Sequence, residues 1–220
     1  SVAHSAPLFM PNPTLNHARA AWRFLKLGLS DFDTTASLVP SSRFLVEAML
    51  RPAHLENARC VVEFGTGTGT LTTEILARLP ADAVLYGLEL DGDLLAATAK
   101  RVNDPRLRPI HGSAADVREL IEAADVGNVD AVISSLGLSL MDEDVRAGIV
   151  RGAGSVLRYD GVYTQYAYLH ARWFAYSQSR AKWFKWRARP FLERHFGTVM
   201  GELVGANVPP AVAYTCRDPK

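Results

Sequence analysis

Cysteine is nearly absent. The 220 residues hold two, Cys60 and Cys216, both in stretches that read as strands. A disulfide-stapled fold is excluded, and the pair reads as small core residues of a reduced, cytoplasmic protein. Histidine is sparse: the six residues show no His-x-x-x-His spacing and no partnership with cysteine, so no metal is expected. No apolar run reaches the roughly 18 residues of a membrane span. The first residues show no charged-then-apolar leader pattern. Charge is almost balanced, with 24 Lys+Arg against 23 Asp+Glu and a net +1. That gives no bulk electrostatic signature of a nucleic-acid binder. No internal repeat is visible.

What the chain does have is apolar content, at 48% of its residues, enough for one good core. One domain over 1–220 is expected, with helices in 1–50 and a core in 60–220. That core is organised around Cys60-Val61-Val62-Glu63-Phe64-Gly65-Thr66-Gly67-Thr68-Gly69-Thr70-Leu71. A short apolar run ends in an acid, three glycines follow at every second position, and a helical pattern runs on to Leu79. This predicts a buried parallel strand, a tight turn and a helix start. Glycine lets the backbone turn sharply and lets a ligand approach without meeting a Cβ. The turn lacks the third glycine of the dinucleotide pattern, since Thr70 stands there, and it lacks the lysine of a phosphate loop. A second apolar run, Val84-Leu85-Tyr86-Gly87-Leu88-Glu89, also ends in an acid.

Strands near 60–65, 84–89, 107–111, 129–134 and 161–168 alternate with helices near 70–79, 92–103, 114–124 and 143–157. Alternation of this kind predicts an α/β fold with a mostly parallel sheet and right-handed crossovers. Ligands sit at the carboxyl ends of such strands, which is where Glu63, Gly65, Glu89, Ser113 and Ser134 fall. Thr198 to Arg217 reads as two closing antiparallel strands around Asn207-Val208-Pro209-Pro210. The fifth strand places Tyr163 and Gln165 on one face and Tyr166 and Tyr168 on the other. Core packing accounts for at least two of these tyrosines.

Two segments stand apart. Residues 15–29 have helical spacing, with Leu15, Ala18, Trp22, Leu25 and Leu29 on one side and Arg19, Arg23 and Lys26 in a stripe beside it. Such a helix either packs on the body or lies in a membrane interface. Residues 172–194 interleave Trp173, Trp183, Trp186 and other aromatics with Arg172, Arg180, Lys182, Lys185, Arg187, Arg189 and Arg194. A helix pair over the sheet, an RNA-stacking surface and an anionic membrane contact all fit that composition. Having two such segments favours the membrane. Between the first segment and the core, Ser41 or Ser42 can cap a helix running to about Leu50. With Arg43 the pair can also form a wall that suits a carboxylate or phosphate.

The Glu63-x-Gly65-x-Gly67-x-Gly69 turn with Glu89 resembles class I S-adenosylmethionine-dependent methyltransferases. That resemblance implies a Rossmann-like sheet whose last strand is antiparallel, with S-adenosyl-L-methionine as cofactor. It implies cofactor contacts from Ser41, Glu63, Phe64, Gly65, Thr66, Gly67, Gly69, Thr70, Leu71, Glu89, Leu90, Ser113, Ala114 and Ser134. Glu89 would accept from both ribose hydroxyls. The usual acid beside Gly112 is replaced by Ser113, so the backbone of Ser113 and Ala114 would hold the adenine amine, or Asp116 would reach in. The fourth-strand turn, Ser134-Ser135-Leu136-Gly137, lacks the proline and aromatic of base-amine methylating enzymes, which argues against a nucleobase substrate.

Pro40-Ser41-Ser42-Arg43, the glycine turn, Ser135-Leu136-Gly137-Leu138, Gln165-Tyr166-Ala167-Tyr168 and Asn207-Val208-Pro209-Pro210-Ala211 together resemble the bacterial phospholipid N-methyltransferases. The chain departs from that pattern at two points, lacking a proline in the fourth-strand turn and a Gly-Pro after Tyr168. The resemblance implies stepwise methylation of phosphatidylethanolamine towards phosphatidylcholine. It places the protein on the inner face of the cytoplasmic membrane, peripherally, against anionic phospholipid, with no nucleic acid and no metal. Tyr168, Gln165 and Ser135 are the expected catalytic residues. Arg19, Trp22, Arg23, Lys26, Arg43, Trp183, Trp186 and Arg180 are expected to meet substrate or membrane. An RNA adenine dimethyltransferase, a small-molecule amine methyltransferase and a non-catalytic lipid binder on the same scaffold remain as rival expectations.

Overall fold

A computed structural model describes residues 40–124, 127–172, 175–177 and 182–220. The 15–29 segment with Arg19, Trp22, Arg23 and Lys26 lies outside the described residues, as do Arg180 and the side chains of Ser41 and Trp183.

Among the described residues there are six α-helices and nine strands. Helix α1 spans Pro40–Leu50, β1 Cys60–Phe64, α2 Thr70–Leu76, β2 Val84–Glu89 and α3 Gly92–Val102. Then follow β3 Leu107–His111, α4 Val117–Ala123, β4 Val129–Ser134, α5 Glu143–Val156 and β5 Leu157–Tyr168. The last part holds β6 Ala175–Ser177, β7 Lys182–Phe184, α6 Ala188–Leu192, β8 Phe196–Val204 and β9 Ala211–Pro219. Helix α1 begins at Pro40, so Ser41 and Ser42 sit inside its first turn and do not precede it as caps. Proline's fixed φ suits the first helical position. Strand β5 starts earlier than expected because α5 runs straight into it, and a register shift opposite Val129 and Ala131 absorbs the extra residues.

The main sheet has the order β3-β2-β1-β4-β5-β9-β8. Strands β1 to β5 are parallel, and β9 runs antiparallel to both β5 and β8. The closing antiparallel hairpin is therefore present. Side-chain alternation divides the core into two layers. Val61, Leu85, Ala131, Ile133 and Val162 face α1 and α2. Val62, Phe64, Val132, Tyr163 and Cys216 face α4, α5 and α6. Leu85, Ile133 and Phe64 are fully buried; burial of each such side chain contributes about 1.5–3 kcal/mol.

The 172–194 segment is not a helix pair. It contributes the small β6–β7 hairpin and the short α6. Trp186 does not face a membrane, being 5% exposed, packed on Phe191 and capped by the Arg146 guanidinium at 4.5 Å. A cation seated on aromatic faces keeps its attraction away from water. Burial in the core satisfies that tryptophan better than a headgroup layer would.

Candidate active site

Strand order reverses between β1 and β4, so a crevice opens above their carboxyl ends. The glycine turn lines it. Gly65, Gly67 and Gly69 have φ of 78°, 51° and 79°, a left-handed backbone that side chains resist. Their surroundings differ. A Cβ on Gly65 would stand 2.8 Å from Leu136 Cδ2, and one on Gly69 would stand 2.7 Å from Thr98 Cγ2. A Cβ on Gly67 would meet nothing within 4 Å. The outer glycines let protein pack on the turn, and the middle one leaves backbone open. Helix α3 braces the turn, with Thr98 Oγ1 donating to the Gly67 carbonyl at 2.5 Å and Arg101 donating to the Thr68 carbonyl.

Two carboxylates lie beneath this opening. Glu63 is fully buried; its Oε2 accepts from Thr72 Oγ1 at 2.7 Å, while Oε1 has no hydrogen-bond partner among the described residues. Burial pushes its carboxyl up to about 8, the Thr72 hydrogen bond opposes this, and Glu89 adds to it. Glu89, 1% exposed, accepts from Gly67 N at 3.1 Å through Oε2 and from Asp91 N at 3.0 Å through Oε1. Burial raises its pKa too, against those backbone donors. Thr66 Oγ1 is likewise buried with no partner among the described residues. An open glycine, an unpaired carboxylate oxygen and an unpaired hydroxyl converge where a ligand carrying an ammonium and hydroxyls fits.

The side expected to face adenine is formed by β3. Gly112 N donates to the Glu89 carbonyl at 3.1 Å, and His111 Nε2 lies 3.1 Å from the Leu90 carbonyl. Ser113 Oγ accepts from Ala115 N at 3.2 Å, capping the turn at 114–116, so its hydroxyl serves the fold. Ala114 is buried there. Of the other expected contacts, Thr70 opens α2 and is exposed, Leu71 is half-buried, and Phe64 buries its ring in the core.

The expected acceptor side lies at the ends of β4 and β5. Gln165 is 1% exposed and fully engaged. Its Nε2 donates to the Leu136 and Tyr166 carbonyls at 2.9 and 2.7 Å, and its Oε1 accepts from the Tyr163 hydroxyl at 2.8 Å. Ser135 Oγ donates to the Gly65 carbonyl at 2.8 Å, and Ser135 N donates to the Phe64 carbonyl at 3.1 Å. Both side chains spend their donors on holding turns, and Gln165 Oε1 and Ser135 Oγ keep acceptor capacity. Ser134 is fully buried, and its Oγ accepts from Leu136 N at 3.4 Å. Tyr168 is different. It is half-buried at the end of β5, edge-on to Tyr166 at 5.2 Å and stacked with His170 at 5.5 Å. Burial, then the neighbouring Tyr166, keeps its hydroxyl neutral. Arg43 is exposed on α1.

Sequence reasoning missed Thr72, Tyr163 and the Leu136 carbonyl. Thr72 carried one signal, a small polar residue on the apolar side of α2, turned towards β1. No pattern could mark a carbonyl.

Residues 61–161 match the family model described as a methyltransferase domain. The chain is 29% identical over 186 residues to the ornithine lipid N-methyltransferase of Singulisphaera acidiphila, covering 84% of this chain and 89% of that protein. Residues 61–161 thus carry a methyltransferase domain. The ribosomal RNA small subunit methyltransferase H of Acinetobacter baumannii is 35% identical over 74 residues, 33% of this chain and 24% of that protein. Among solved structures, the methyltransferase's fold resembles the Burkholderia thailandensis 1,6-didemethyltoxoflavin-N1-methyltransferase, with TM-score 0.67, 17% identity and coverage of 99% and 94%. It also resembles the DhpI–SAH complex, with TM-score 0.62, 18% identity and coverage of 92% and 97%. Among the described residues, no helix is long and apolar enough to cross a membrane.

Proposed function

We propose that this methyltransferase N-methylates an amine-bearing lipid headgroup at an anionic membrane surface, with phosphatidylethanolamine as substrate and its methylated forms as products. The observation that carries this reading is the likeness to a lipid N-methyltransferase along nearly the whole of both chains. The match to the RNA enzyme is confined to a third of this chain. That first relative also favours a second reading of the same site, in which the amine belongs to an ornithine lipid.

The cofactor would supply an electrophilic methyl group on a positively charged sulfur, and that charge passes to the amine nitrogen as the carbon–sulfur bond breaks and the nitrogen–carbon bond forms. Glu63 Oε1 and the open Gly67 backbone would hold its amino-acid end, and Glu89 its ribose. Gly65, Thr66, Gly69, Thr70, Leu71 and Ser134 shape that cradle, while Leu90, Ser113 and Ala114 flank the adenine. The segments 134–141 and 165–172 contain no Asp or Glu. A neutral acceptor side suits an amine that must lose its proton before it attacks, because a carboxylate there would hold it as the unreactive ammonium. Tyr168 is the group left to orient the amine lone pair in line with the methyl group, and orientation supplies much of the rate. Ser135 and Gln165 act on Tyr168's surroundings and on the glycine turn, as positioning residues. His170, stacked on Tyr168, would accept the amine proton.

The experiment is incubation with methyl-labelled S-adenosylmethionine and three acceptors: lipid vesicles containing phosphatidylethanolamine, soluble ethanolamine and ribosomal RNA. Label in the lipid fraction supports the reading. Label confined to RNA or to the soluble amine would sink it.

A further inference from the structure

The β8–β9 hairpin turns at the catalytic end of the sheet, since Val204 pairs with Ala211 and Ala211 pairs with Tyr168. This turn is held from inside. Asn207 is 1% exposed; its Nδ2 donates to the Pro209 carbonyl at 2.7 Å and its N to the Val204 carbonyl at 3.3 Å. Leu169 N, just past Tyr168, donates to the Pro210 carbonyl at 2.9 Å. On so anchored a turn, apolar side chains would be expected to fold inward, yet Val208 is 76% and Leu203 63% exposed.

Scattered exposed leucines mean little, but these two have a setting. Leu203 lies opposite Val212 in the ladder, and Tyr214, two residues on and on the same face, is half-buried within electrostatic reach of Arg172. Trp186 N donates to the Ala171 carbonyl at 3.3 Å, which lays residues 185–187 beside the chain leaving β5. With Trp186 buried as the anchor, its neighbours Lys185 and Arg187 are exposed. The nearby acids are turned away or engaged: Glu202 pairs with Arg51, and Glu193 pairs with Arg189. Exposed apolar groups flanked by cations complement a surface that is apolar within and anionic outside.

We propose that this corner is the membrane-contacting surface, with Leu203 and Val208 entering the headgroup layer and Arg172, Lys185 and Arg187 facing lipid phosphates. Docking here turns the Tyr168 mouth towards the headgroups. The opposite end of the sheet carries an even more exposed aromatic, Tyr159 at 96%, but its neighbour Arg158 is paired with Asp130 and Asp160. Contact there would point the mouth at water. The inference rests on the lipid reading above, but its test needs no methyl transfer.

That test is sedimentation of the full chain with vesicles of phosphatidylcholine and phosphatidylglycerol. Leu203→Asp/Val208→Asp should lower partitioning at least about tenfold, and Lys185→Glu/Arg187→Glu should lower it on anionic vesicles. Tyr159→Asp should leave it within about twofold. S-adenosylhomocysteine affinity and the thermal midpoint check that each variant is folded. Should the double aspartate variant fail that check, Val208→Trp should raise partitioning severalfold. A folded aspartate variant that binds like wild type would overturn the proposal. So would an unresponsive Val208→Trp, or a wild-type chain that sediments with RNA but not with vesicles. If the corner binds vesicles and no lipid is methylated, the surface stands and the substrate reading fails.

Discussion

Ser135 Oγ donates to the carbonyl of Gly65 at 2.8 Å, tying the turn after β4 to the turn after β1. The two turns belong to the two halves of the site, acceptor and cofactor. Ser135→Ala should therefore loosen the cofactor cradle without removing any group that touches it. A part-buried hydrogen bond of this kind contributes about 0.5–1.5 kcal/mol. Titration calorimetry should show S-adenosylhomocysteine affinity reduced about two- to tenfold.

The three glycines should fail in different ways. Gly65→Ala places a Cβ 2.8 Å from Leu136 Cδ2 at φ 78°, so both folding and cofactor binding should suffer. Gly67→Ala has open space, so its cost to stability is limited to the left-handed backbone, about 1–2 kcal/mol. Its Cβ intrudes where the cofactor lies, so affinity should fall further than stability. Thermal midpoints and binding isotherms on both variants check this ordering.

Glu63 predicts a pH dependence. Its folded pKa, near 8, exceeds its ordinary value of 4.5, so folding takes up a proton between those values. The stability linked to this group is complete below the ordinary value and is lost as pH rises through about 8. The thermal midpoint of the cofactor-free protein should fall across that window. Glu63→Gln keeps the shape, removes the titration and should flatten the fall. Identical slopes for the two proteins would show that the carboxyl does not titrate there.

Gln165 and Tyr168 share a strand but should give opposite signatures. Gln165→Leu leaves the Tyr163 hydroxyl without its acceptor, while the Leu136 carbonyl keeps Leu138 N at 2.9 Å, and a stranded buried group costs about 1–3 kcal/mol. Loss of stability should be its main effect. Tyr168→Phe removes only a half-buried hydroxyl, so folding and S-adenosylhomocysteine binding should persist while kcat falls. Melting curves and initial rates separate the two.

The glycine turn and the strand-end acids were legible because they are written in backbone terms. Three glycines at alternate positions after an apolar run, and acids closing β1 and β2, dictate a turn and a strand-end site wherever they occur. The acceptor half was not. Gln165 and Ser135 are polar residues at the right strand ends, but whether a donor is spent on a carbonyl depends on packing between β4 and β5. Trp186 misled for a related reason. Aromatic and basic residues interleaved in sequence look amphipathic, yet Arg146, forty residues earlier on α5, buries that ring.

The proposed function stands or falls on whether the amine belongs to a lipid. Mass spectrometry of headgroups after incubation with S-adenosylmethionine tests it, using vesicles holding phosphatidylethanolamine, ornithine lipid and an anionic lipid. Successive methyl masses on phosphatidylethanolamine are the result expected here, and gain on ornithine lipid alone would select the second reading. No gain on either lipid, by protein that binds S-adenosylhomocysteine, would contradict the claim.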